Sequence, residues 1–172
     1  MWYIFESILK AVVALQGIGV YHQDIQPANI KVSEAGEIAV IDFHCMDPHQ
    51  ASGYKRMVAN YTYASPISPQ LVKPYVTKAF DPSYNVEKND VWSIGITMVC
   101  AATIANFRDF YDFTYGNILM DKINEKLDTM QRMGFSAYFV KCMANMLNPT
   151  EDYRPAFKEL LNFLNYSNMQ PH

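Results

Sequence analysis

Between residues 3 and 15, Ile4, Phe5, Ile8, Leu9, Val12, Val13 and Leu15 recur at the spacing of one helical face, with Glu6, Ser7 and Lys10 opposite. Gly17 and Gly19 end that helix. Ile30 and Val32, then Ile38, Val40 and Ile41, read as two short strands, and Glu34-Ala35-Gly36-Glu37 between them supplies a hairpin turn. Residues 45–88, rich in Pro, Tyr, Ser and Asn, carry no sustained period and are expected to be an irregular loop. From Asn89 to about residue 105 the chain is apolar on nearly all sides, the pattern of a central buried helix. Further helices are marked by Ile118, Ile123 and Leu127, then by Tyr138, Phe139, Cys142, Met143, Met146 and Leu147. The last is marked by Phe157, Leu160, Leu161 and Leu164, with Pro155 near its first turn.

Composition narrows the picture. The 172 residues are 50% hydrophobic and 18% charged, which suits one globular domain with a single core. A formal net charge of −3 without a Lys or Arg cluster argues against nucleic acid as a partner. Residues 91–105, the longest apolar stretch, fall short of the roughly 20 residues that span a bilayer, so no membrane span is expected. Glu6 and Lys10 interrupt any signal peptide. Cys45, Cys100 and Cys142 are odd in number and far apart, which points away from a disulfide framework or zinc site and towards a reducing interior. The ten methionines read as core filler.

Candidate chemistry sits before and after the hairpin. Asp24 and Asn29 lie in the loop ahead of it, and Asp42 follows its second strand. A hairpin holds its two ends side by side, so Asn29 and Asp42 can converge on one metal ion. The alternative, that Asp24 and Asp42 only cap turns, is common for Asp and stays open here.

Residues 22–29, H-Q-D-I-Q-P-A-N, followed by Asp42-Phe43-His44, resemble the H-R-D-L-x-x-x-N and D-F-G motifs of the eukaryotic protein kinases. Tyr63 to Leu71 reads as an altered A-P-E segment, with residues 72–88 as an insertion after it. Asn89-Asp90-Val91-Trp92-Ser93-Ile94-Gly95 resembles the D-V-W-S-x-G helix, and Arg154-Pro155 the late R-P pair. The resemblance implies a mainly α, Ser/Thr-type protein-kinase-like C-terminal lobe over residues 1–172: a helical bundle around a central buried helix with a small β-hairpin. Its catalytic-loop region is 20–44, its activation-segment-like loop 45–88 and its helical region 89–166. The N-terminal β lobe is expected to be absent, since no G-x-G-x-x-G or V-A-x-K occurs in the chain.

By the same resemblance Asp24 is the base for a substrate hydroxyl, Asn29 and Asp42 are magnesium ligands, and Asp90 binds backbone N–H groups of the catalytic loop. Several supporting residues depart from the family. Gln26 stands where a Lys steadies the transferred phosphate, and a neutral amide does not neutralise developing charge. Lys31 replaces an apolar residue under adenine, and His44 replaces the glycine of D-F-G. Gln23 replaces an Arg that pairs with loop phosphate, so regulation through that contact is not expected. Gln70 replaces the Glu that pairs with Arg154, leaving these two to share a hydrogen bond and Arg154 to seek another anion, with Glu151 and Asp152 near in sequence.

The expected function is therefore that of a non-catalytic, pseudokinase-like structural or interaction module without magnesium or ATP. A protein partner is expected to cover the apolar face around the first helix and hairpin, where the small lobe of a kinase sits. The alternative is the catalytic lobe of an active ATP-dependent Ser/Thr kinase, with Mg and ATP, whose small lobe lies on a longer parent chain. A third reading is a magnesium- or nucleotide-binding regulator. The expected address is intracellular and reducing, cytoplasmic or cytoskeleton-associated.

Overall fold

The computed structural model describes residues 1–42, 54–56, 66–78 and 83–167. It is mainly helical, with six α-helices and three two-stranded antiparallel pairs among the described residues. Helix α1 (Trp2–Gly17) buries Phe5, Ile8, Leu9 and Val12, the face expected from their spacing. Gly19 turns the chain at φ +77, a left-handed value that glycine adopts without strain. Strands β1 (Ile30–Val32) and β2 (Ile38–Val40) form the hairpin, with Ile30 opposite Val40 and Lys31 opposite Ala39. Val40 turns inward, and β2 packs along α1.

The region read as irregular contains regular structure. Helix α2 (Pro69–Thr77) occupies part of what looked like an insertion, burying Leu71 and Val72. Pro69 suits its first turn, whereas Pro74 removes a donor from its interior, so two prolines in nine residues hid the helical period. Strand β4 (Ser83–Asn85) pairs with β3 (Tyr54–Arg56), with Tyr54 opposite Asn85. A three-residue pairing between such distant segments leaves no local signature in sequence.

Helix α3 (Val86–Thr103) starts earlier than its apolar run because Asn85 caps it, its side chain accepting from Lys88 N at 3.1 Å. Nearly every α3 residue is buried, and the rest of the core packs around it. At Gly95 an added Cβ would lie 2.9 Å from Leu147 Cδ2, so the missing side chain lets the end of helix α5 (Ala137–Met146) approach closely. Helices α4 (Met120–Arg132) and α6 (Phe157–Ser167) complete the bundle, and Trp2 of α1 sits among Phe139, Tyr138 and Phe163 of α5 and α6. Met98, Met130, Met143 and Met146 are buried, as core filler should be, whereas Met133 is exposed, contrary to that reading. No helix of the described residues is long and apolar enough to cross a membrane.

The hairpin of β5 (Tyr111–Asp112) and β6 (Asn117–Ile118) packs on α2. Its turn glycine, Gly116, has φ +71, and an added Cβ would sit 2.8 Å from Lys73 Cα. Gly116→Ala therefore meets backbone and a strained dihedral together. The expected loss is about 1–3 kcal/mol in urea denaturation; a loss below about 0.5 kcal/mol would contradict the close approach.

Candidate functional site: the loop ahead of the hairpin

The loop is fastened from below by α3. Asp90, fully buried, accepts His22 N–H on Oδ2 at 2.8 Å and Gln23 N–H on Oδ1 at 2.8 Å. Gln23 Nε2 also donates to Oδ1, at 2.9 Å. Burial pushes the Asp90 carboxyl up to about 7, and the N–H donors oppose that rise. Asp90 is thus a backbone clamp on the loop, as its position implied, and not merely a charge on the helix dipole.

Gln23 sits at φ +62, in left-handed conformation, with its side chain turned inward. Its Nε2 donates to Val86 O at 2.8 Å, and its Oε1 accepts the Tyr84 hydroxyl at 3.0 Å. Tyr84, Asn89 and Thr97 are supports that the sequence reading missed. Tyr84 lay in the stretch without periodicity. Thr97 carried a signal, being a hydroxyl inside an apolar helix; it reaches Ile25 O at 3.5 Å.

His22 is buried, and its ring braces the far end of the loop. Asp24 N–H donates to Nδ1 at 3.2 Å, so Nε2 carries the proton and donates to Ile41 O at 3.1 Å. Burial lowers its pKa and favours this neutral form. Ile41 N–H in turn donates to Asn29 O at 2.9 Å. Ile41 is therefore tied to both ends of the loop, which places Asp42, exposed and at φ +73, directly beside it.

Asp24, Gln26 and Asn29 meet in direct contact. Gln26 Nε2 donates to Asp24 Oδ1 at 3.1 Å, and Asn29 Nδ2 donates to Asp24 Oδ2 at 3.0 Å and to Asp24 O at 2.9 Å. Both amide hydrogens of Asn29 are thereby used, and its Oδ1 accepts no hydrogen bond from the described residues. Asn29 Oδ1 and the Asp42 carboxylate are oxygen donors of the kind a hard cation takes. Lys31 is exposed on β1. Phe43, His44, Cys45 and Tyr63 to Ser65 lie outside the described residues.

Arg154 accepts the place expected for it beside Gln70, Nη2 donating to Gln70 Oε1 at 2.7 Å. Of the two acids near in sequence, Glu151 acts on Arg154 through its charge, opposing the fall in pKa that burial causes. Asn148 O, Lys88 O and Pro149 O receive the other hydrogen bonds, and Glu151 also accepts Asn85 N–H at 3.3 Å.

A profile of the protein kinase domain matches residues 2–164. The human dual specificity mitogen-activated protein kinase kinase 7 is 29% identical over 163 residues, covering 90% of this chain and 36% of its own length. A probable serine/threonine-protein kinase of Dictyostelium discoideum is 27% identical over 173 residues, covering 92% of this chain and 17% of its own. The chain therefore spans about a third or less of these relatives. The clamped loop, the hairpin behind it, the buried helix beneath and the profile match agree: the chain belongs to the protein kinase family.

Proposed function

We propose that this chain is a non-catalytic kinase-like module, its catalytic loop serving as scaffold within a larger assembly and using neither Mg nor ATP. The observation that carries the reading is the state of Asp24, both of whose carboxylate oxygens accept from uncharged amides, those of Gln26 and Asn29. Phosphoryl transfer relies on positioned charge, and the loss of one stabilising contact costs orders of magnitude in rate. From Asp24 to Asn29 the loop holds no cation. A protein partner belongs to this reading: Val32 is 62% exposed and Ile41 39%, both at the hairpin. So does a reducing, intracellular setting, cytoplasmic or cytoskeleton-associated, which suits the free, buried Cys100 and Cys142.

One observation favours a second reading, the catalytic lobe of an active Ser/Thr kinase. Asn29 Oδ1 and the Asp42 carboxylate are oxygen donors of the kind magnesium takes, and there Mg and ATP would bind. The test is a magnesium ATP titration by calorimetry and melting temperature, with a phosphotransfer assay, on the chain and on any longer natural form that contains it. The scaffold reading expects no saturable shift at millimolar nucleotide and no transfer. Transfer that Asp24→Asn abolishes and Gln26→Lys raises would overturn it.

A further inference from the structure

Tyr84 stands between two parts of the chain that lie far apart in sequence. It belongs to β4, which pairs antiparallel with β3, Lys55 opposite Tyr84. β3 comes from the long stretch between β2 and α2. The Tyr84 side chain leaves the strand for the interior: the residue is 1% exposed, and its hydroxyl donates to Gln23 Oε1 at 3.0 Å. A two-stranded ladder of three residues is marginal by itself, so β3 can part from β4 while the helical bundle stays folded.

The acceptor is a strained residue. Gln23 holds φ +62, a left-handed value that a non-glycine residue keeps only where its surroundings over-determine it. Its amide supplies those surroundings. Nε2 donates to Val86 O at 2.8 Å and to Asp90 Oδ1 at 2.9 Å, which uses both amide hydrogens. Oε1 accepts from Tyr84 and, at the longer distance of 3.4 Å, from Asn89 Nδ2. Val86, Asn89 and Asp90 are buried residues of α3. Tyr84 is the one among these partners that sits in a strand pair, and it is the closer of the two donors to Oε1.

We infer that the Tyr84–Gln23 hydrogen bond is a latch coupling the β3–β4 pairing to the backbone of the loop that carries Asp24. With β3 paired, Tyr84 is held and the loop keeps its left-handed turn. With β3 released, Tyr84 no longer braces Gln23, and the backbone from His22 to Asp24 relaxes. Hydroxyl and amide are both neutral, so the latch closes without a charge or a covalent modification. Such coupling is reciprocal: whatever steadies the loop also favours the strand pair. Tyr84 is thus a positioning residue, and it acts whether the loop serves as scaffold or transfers phosphate.

The test is native-state hydrogen exchange, amide by amide, on the full chain. His22 N–H and Gln23 N–H report the loop, since Asp90 holds each; the amides of Met130 and Met143, buried in α4 and α5, report the bundle. Tyr84→Phe keeps the ring and removes the hydroxyl. It should speed exchange of the two loop amides about tenfold, the scale of one neutral hydrogen bond, with the bundle amides within about twofold of the parent. Lys55→Pro together with Arg56→Pro removes two backbone donors from β3 and should speed the same loop amides. In the Tyr84→Phe background the two prolines should add less than about twofold, because the link they act through is already gone. Three results would each overturn the latch: loop amides within about twofold of the parent in Tyr84→Phe, loop and bundle amides accelerated by one common factor, or prolines acting as strongly in Tyr84→Phe as in the parent.

Discussion

Asp90→Ala should lower the unfolding free energy by about 3–5 kcal/mol at pH 6. The two oxygens removed accept His22 N–H, Gln23 N–H and Gln23 Nε2–H. Two of those donors are buried backbone groups, and a buried donor left unpaired costs about 1–3 kcal/mol. Gln23 keeps Val86 O for its amide, but its left-handed backbone, at φ +62, then lacks what over-determines it. The effect depends on pH with a definite sign. Burial raises the folded carboxyl to about 7, above the roughly 3.9 of an unfolded chain. The folded protein thus binds that proton more tightly, so wild-type stability falls as pH rises between about 4 and 7. Alanine carries no such slope, and its cost should be smaller at pH 8 than at pH 5. Urea denaturation across that range measures both; a cost under about 1 kcal/mol at pH 6 would mean that the loop stands without its clamp.

Trp92→Ala should cost about 3–5 kcal/mol, the range for truncating a fully buried aromatic in a rigid core. Trp92 is 0% exposed at the centre of α3. Its Nε1–H donates to the Tyr111 hydroxyl at 3.0 Å, and that hydroxyl donates to Ile67 O at 2.9 Å. The Arg154 guanidinium lies 5.0 Å from the ring centroid. Truncation therefore opens a cavity, removes the face under a buried cation and loosens a tie to the segment before α2. Trp92→Phe keeps a ring but no N–H, and should recover more than half of the loss. If Phe were no better than Ala, the hydrogen bond to Tyr111 would outweigh packing, against the burial at this position.

Gln23 and Gln70 show how a sequence carries chemistry without its consequences. Both were legible as neutral residues where the family holds charge. That Gln23 would turn inward and join Tyr84 to the loop was not legible, because Tyr84 is far along the chain and sits in a strand three residues long. Gln70 reaches Arg154 as expected, yet that Glu151 acts on Arg154 through its charge while accepting Asn85 N–H followed only from where its carboxylate points. Asp24, Gln26 and Asn29 could be named from the resemblance of residues 22–29 to a kinase catalytic loop, and a turn at Pro27–Asn29 brings them together locally.

The sequence by itself determined the helices with a complete apolar face, the hairpin with its turn glycine, the buried character of α3 and the position of the loop residues. Each of these is a local pattern, written at the period of one element or within one turn. The tertiary structure alone decided α2, the pairing of β3 with β4, the inward Gln23 and the burial of Arg154 against the carbonyls of Lys88, Asn148 and Pro149. Those depend on contacts between residues distant in the chain, where two prolines, a three-residue register and the direction of one carboxylate outweigh any periodicity.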